Sequence, residues 1–110
     1  MERRNEARLP VQLSVDIAGV DANGHAYRQS VFARSLSWSG GLLTGVRQDL
    51  RCGDLMVLQR DQRISRFRVV WLRDGQVAVQ KLKGEPCLWE EMLETSSQLA
   101  AGGSRQTPLS

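Results

Sequence analysis

From Leu9 to Ile17 the chain alternates: Leu9, Val11, Leu13, Val15 and Ile17 are apolar, and Gln12, Ser14 and Asp16 lie between them. A period of two puts one set of side chains on a core and the other in water, which predicts a strand. Ala18 to Gly24 holds Gly19, Asp21, Asn23 and Gly24, residues suited to a turn. A second strand is expected from about His25 to Arg34, with Tyr27, Val31 and Ala33 inward. Ser35 to Gly41 reads as a small-residue loop and Leu42 to Val46 as a short buried strand. Arg47 to Asp54 is a polar connection turning at Gly53-Asp54, and Leu55 to Arg60 is a fourth strand. Arg63 to Arg73 is the fifth, with Phe67, Val69 and Trp71 on one face and Arg66, Arg68 and Leu72 on the other. Asp74-Gly75 predicts a two-residue hairpin, because both central residues of a type I′ turn need positive φ. Val77 to Leu82 is the return strand, with Val77 and Val79 inward.

The period changes at Glu85. Pro86 suits the first position of a helix, and Leu88, Trp89, Met92, Leu93 and Leu99 follow at roughly helical spacing. Glu90, Glu91 and Glu94 fall nearer the helix start, where the macrodipole favours negative charge. An amphipathic helix is therefore predicted from about Pro86 to Leu99, its apolar stripe laid on the strands. Residues 101–110 carry no apolar period and are expected to form a disordered tail. The predicted fold is all-β: a small six-stranded antiparallel β-barrel with a C-terminal α-helix. Closure would protect such short strands from edge pairing.

A chain of 110 residues makes one domain with a modest core and little room for a deep catalytic cleft. No apolar run approaches the ~20 residues of a membrane helix. Met1-Glu2-Arg3-Arg4-Asn5-Glu6 is not followed by the apolar stretch of a secretory signal. A cytoplasmic location is expected, without a membrane partner. Cys52 and Cys87 belong to no C-x-x-C pair, and His25 alone cannot complete a zinc site with them. Two buried or half-buried thiols and no metal are expected. There is no G-x-S-x-G elbow, no P-loop lysine and no evident carboxylate pair, so neither catalytic residues nor a cofactor are expected. His25 reads as a solvated surface residue. Trp71 and Trp89 fall on apolar faces and are expected in the core, whereas Trp38 fits either a core anchor or a partly exposed stacking platform.

The net charge of +3 is mild, but its chemistry is skewed: of 15 basic residues only Lys81 and Lys83 are lysine, and thirteen are arginine. Arginine grips phosphates and guanine edges with a planar fork and stacks on aromatic planes. Three arginines gather in Arg3-Arg4-Asn5-Glu6-Ala7-Arg8, which has the form RRxxxR and runs straight into the first strand. About thirty residues on, Ser35-Leu36-Ser37-Trp38-Ser39-Gly40 has the form x-x-S-x-x-G and lies between the second and third strands.

In this order and on these elements, the two motifs resemble the signatures of PilZ domains, RxxxR before the first strand and [D/N]xSxxG after the second. The resemblance covers about residues 2–93. It implies a bacterial receptor module for the second messenger cyclic di-GMP, taking part in signal transduction and not an enzyme. Carried over by position, the ligand-binding residues are Arg3, Arg4, Arg8, Ser35, Ser37 and Gly40. It divides the chain into an arm (residues 1–8) bearing RRxxxR, a PilZ-like barrel with its helix (9–100) and the tail (101–110). The expected partners are cyclic di-GMP and an unidentified downstream protein.

The chemistry agrees with that expectation. Cyclic di-GMP is a dianion with two guanines, and arginine can take the O6/N7 edge, stack on a base or pair with a phosphate. An arm that folds over the ligand loses entropy, which predicts moderate affinity. Ser35 stands where the family has Asp or Asn. A hydroxyl cannot accept two parallel bonds from guanine N1 and N2, a loss of about 1.5–3 kcal/mol, or ten- to a hundredfold in affinity. Ser35 therefore motivates an alternative, a PilZ-like protein-interaction adaptor that no longer binds the nucleotide. A third reading, a barrel for single-stranded nucleic acid, draws on the arginine excess and Trp38. Against it, most of the tryptophans fall on core faces.

Overall fold

The computed structural model describes residues 8–95. Six strands form in chain order: β1 (Leu9–Val20), β2 (Ala26–Leu36), β3 (Gly40–Thr44), β4 (Leu55–Arg60), β5 (Arg63–Arg73) and β6 (Gln76–Lys81). A short helix, α1, occupies residues 90–95. The strands close into an antiparallel barrel in the order β1-β2-β3-β6-β5-β4, with β4 returning to β1 through Asp16↔Gln59 to Gly19↔Met56. The all-β barrel with a C-terminal helix is thus the observed fold.

The alternation read from the sequence sets the inside of the barrel. Val15, Ile17, Val31, Ala33, Met56, Leu58, Phe67, Val69, Val77 and Val79 are buried, and Leu9, Val11 and Leu13 pack against them half-buried. Leu88, Trp89 and Leu93 join this core from the C-terminal segment. The Trp89 ring lies tilted on Phe67, with centroids 5.7 Å apart. Full burial of side chains this size contributes about 1.5–3 kcal/mol each. Ser65, buried in β5, spends its hydroxyl on the Pro86 carbonyl. Arg60 and Arg63 converge on Glu91, and Arg66 pairs with Glu85 at 2.8 Å. These contacts fasten the C-terminal segment to the β4–β5 hairpin.

Several boundaries differ from the sequence reading. β1 does not stop at Ile17 but continues to Val20, because β2 pairs with it as far as Val20 and β4 as far as Gly19. The turn begins at Asp21, whose carboxylate accepts bonds from the backbone N–H groups of Asn23 and His25, both at 2.9 Å. β3 starts at Gly40 instead of Leu42, so both glycines belong to the strand. Residues 86–89 are not helical. The Pro86 carbonyl is taken by Ser65, and the helix starts only at residue 90. Its expected end near Leu99, Arg3 and Arg4 of the arm, and the expected tail at 101–110 lie outside the described residues. Cys52 is exposed, contrary to expectation, while Cys87 is half-buried as expected; both are free thiols.

The largest correction is at Trp71, expected in the core but 39% exposed. The β5–β6 register slips between Val69↔Val79 and Trp71↔Ala78. A bulge adds one residue to one strand, and a one-residue slip sends the following side chains to the opposite face. Val70 and Trp71 therefore both face outward, and Leu72 packs against the core. The hairpin beyond it is as predicted, with φ of 50° at Asp74 and 80° at Gly75.

Candidate functional site

The β2–β3 connection is shorter and tighter than a loop of seven residues. Ser37 N–H donates to the Gly40 carbonyl at 2.9 Å. The Ser37 hydroxyl accepts from Gly40 N–H at 3.2 Å and donates to the Gly40 carbonyl at 3.3 Å. Ser37 is 2% exposed, so its side chain is absorbed in shaping the turn. From the other side, Trp89 Nε1 donates to the Ser37 carbonyl at 2.8 Å. Lys81 N–H reaches the Ser39 carbonyl at 2.6 Å, which joins the turn to the end of β6.

Gly40 is required here by space. A Cβ at this position would lie 2.1 Å from the Val79 carbonyl oxygen, far inside contact distance. Only glycine lets β3 approach β6 so closely at the turn.

This turn floors a shallow depression of about 350 Å³ on the outside of the barrel. Arg8, Ser37, Gly40, Trp71 and Gln80 line it. Arg8 stands immediately before β1, and its guanidinium donates to Ser35 Oγ at 3.3 Å. Ser35 is half-buried on β2. It meets the depression through Arg8 and is not itself part of the lining. Of the six residues predicted for the site, the structure thus brings Arg8, Ser37 and Gly40 to one surface, with Ser35 behind Arg8. Arg3 and Arg4 lie outside the described residues.

Trp71 and Gln80 are among the lining residues that were not foreseen. Trp71 was assigned to the core, and the bulge brings it outside, where Arg73 lies over its ring at 5.6 Å. The signal available in the sequence was the run Val69-Val70-Trp71-Leu72, four apolar residues that cannot all face inward on one strand. Gln80 sits opposite Gly40 across β3 and β6, a neighbour relation created only by barrel order. Trp38 is exposed rather than a core anchor, but it does not line the depression.

The depression combines a cation, a flat indole, an amide side chain and a tight, internally bonded turn. That set can hold a planar, hydrogen-bonding, anionic ligand by stacking and charge. Among the described residues no group of His, Cys, Asp and Glu could hold a metal ion. No helix there is long and apolar enough to cross a membrane.

No family model matches the chain, and no curated protein matches it. Among solved structures the fold is similar to the PilZ domain of CeSA from a cellulose-synthesising bacterium. The TM-score is 0.56 at 15% identity, covering 69% of this chain and 80% of that one. The barrel is therefore PilZ-like in fold.

Proposed function

We propose that this chain is a receptor module that binds cyclic di-GMP on the outer face of its barrel and carries out no catalysis. The observation that carries the reading is the convergence of Arg8, Gly40 and Trp71 on one depression. Arg8 and Gly40 belong to two sequence motifs about thirty residues apart. Trp71 comes from a third part of the chain and supplies a surface for a purine. The similarity to a PilZ domain in fold supports the same reading.

In this reading Arg8, with Arg3 and Arg4 preceding it in sequence, supplies the guanidinium groups for guanine edges and phosphates. Trp71 stacks on a base, an interaction of about 1–3 kcal/mol. Gly40 lets β3 close against β6 beneath the ligand, and Ser37 holds the turn in shape. Ser35 fixes Arg8 through its hydroxyl. Binding at this face changes the surface offered to a downstream protein, and only differential affinity for the conformation that the partner recognises drives a switch.

The test is calorimetric titration with cyclic di-GMP, with GMP and cyclic di-AMP as controls. Saturable, guanine-selective binding is expected. Arg8→Ala and Trp71→Ala should each weaken it about tenfold or more. Absence of heat from protein shown to be folded would refute the receptor reading. It would favour the adaptor reading, for which the specific observation is the Ser35 hydroxyl where a carboxylate or amide would face guanine.

A further inference from the structure

The register of the barrel extends the site beyond the motifs. Gly40 on β3 is the partner of Gln80 on β6, and Gln80 is in turn the partner of Arg68 on β5. Gly40, Gln80 and Arg68 therefore form one row across three strands. At about 4.8 Å per strand, Arg68 starts about 10 Å from the glycine that floors the depression. Gln80 is also shared with a second depression of about 390 Å³, lined by Arg68, Gln80, Lys81, Leu82 and Lys83.

Three cations meet there, and two of them are the only lysines of the chain. None of Arg68, Lys81 and Lys83 forms an ion pair with a described residue. The neighbouring carboxylate, Glu85, already bonds the Arg66 guanidinium at 2.8 and 3.1 Å and the Arg66 backbone N–H at 2.9 Å. Lys81 acts on Glu85 only through space, helping to hold its carboxyl below the usual range behind the larger effect of Arg66, so the three like charges are only partly offset, and an incoming anion relieves their repulsion. The first depression is at the small end of the 300–1,000 Å³ typical of ligand sites. A cyclic dinucleotide, with two bases, two riboses and two phosphates, extends beyond it, and the row through Gln80 leads to the cations.

We propose that Arg68, Lys81 and Lys83 form an anion subsite continuous with the Arg8–Trp71 depression, which takes phosphodiester charge of the bound dinucleotide. This inference rests on the cyclic di-GMP reading. Lysine suits the role as a mobile point charge that does not demand a fixed guanine edge, so the subsite contributes affinity without base selectivity.

The experiment is titration of the full chain with cyclic di-GMP at several salt concentrations. It compares the wild type, Arg68→Gln/Lys83→Gln, the charge-keeping Arg68→Lys/Lys83→Arg, and Arg28→Gln as a charge-loss control on β2. All substituted side chains are exposed, and a thermal melt checks that each variant is folded. The double glutamine variant should bind about tenfold more weakly, with a shallower dependence of log Kd on log salt and unchanged preference for guanine over adenine. The charge-keeping variant and Arg28→Gln should stay within about twofold of wild type. Equal affinity and equal salt slope in wild type and the glutamine variant would overturn the subsite and leave the receptor reading intact. Equal weakening by Arg28→Gln would also overturn it, as a general charge effect. No binding by the wild type would remove the receptor reading and the subsite together.

Discussion

The indole Nε1 of Trp89 donates a 2.8 Å hydrogen bond to the carbonyl oxygen of Ser37. A residue just before α1 thereby closes the turn that floors the candidate site. The same indole is 1% exposed and packs on Phe67, so the turn's shape is tied to the core.

Trp89→Phe should therefore destabilise the fold by about 2–3 kcal/mol, from the space left in the core and the unpartnered carbonyl. Urea unfolding measures it. A loss under about 0.5 kcal/mol would show that the bond contributes nothing to the turn.

Gly40→Ala should cost about 3 kcal/mol or more, because the new Cβ meets backbone, the Val79 carbonyl, which cannot turn aside as a side chain can. Gly75→Ala is the contrast. Its φ of 80° is strained for alanine, yet nothing lies within 4 Å of the added Cβ, so about 1–2 kcal/mol is expected. Comparable losses at the two positions in thermal or denaturant unfolding would contradict the close-approach argument.

Tyr27 carries a buried hydroxyl with no partner among the described residues. Burial, helped by the charges of Asp54 and Asp21, pushes its pKa up to about 12 from 10.0. The folded state thus keeps the proton that the unfolded chain releases. Stability is full below pH 10 and falls as pH rises from 10 toward 12, by about 1–2 kcal/mol once solvent screening of the half-buried ring is allowed for. Tyr27→Phe should remove that alkaline slope. At neutral pH it should be neutral or gain about 1 kcal/mol, since an unsatisfied buried hydroxyl is lost. A clear loss of stability at pH 7 would mean that the hydroxyl has a partner.

Ser35→Asp should tighten cyclic di-GMP binding by about tenfold. The carboxylate would strengthen the Arg8 contact now made at 3.3 Å and add an acceptor for guanine. Unchanged or weaker calorimetric affinity would show that position 35 does not reach the ligand.

Alternation in Leu9–Ile17 and the Asp74-Gly75 hairpin were legible, because local geometry alone links those patterns to a face or a turn; Leu88, Trp89 and Leu93 are buried as their apolar character suggests, but of the three only Leu93 lies on the helix their spacing predicted. The two motifs were legible for the same reason: each is a short run on one connection. Their boundaries were not. Ala18 and Gly19 looked like the start of a turn until β2 and β4 both supplied partners for them, and Pro86 looked like a helix start until Ser65 claimed its carbonyl.

The sequence by itself determined which residues could fill a small β-barrel, where its tightest turns would fall, and that arginines precede β1 while a serine–glycine turn follows β2. Only the tertiary structure decided what lies beside them. The bulge after Val69 turned Trp71 from the core to the depression, and barrel order placed Gln80 and Arg68 in line with Gly40. Strand pairing joins Gly40 and Gln80, forty positions apart, in one row. That neighbourhood depends on register across the closed sheet, a relation that no local period along the chain encodes.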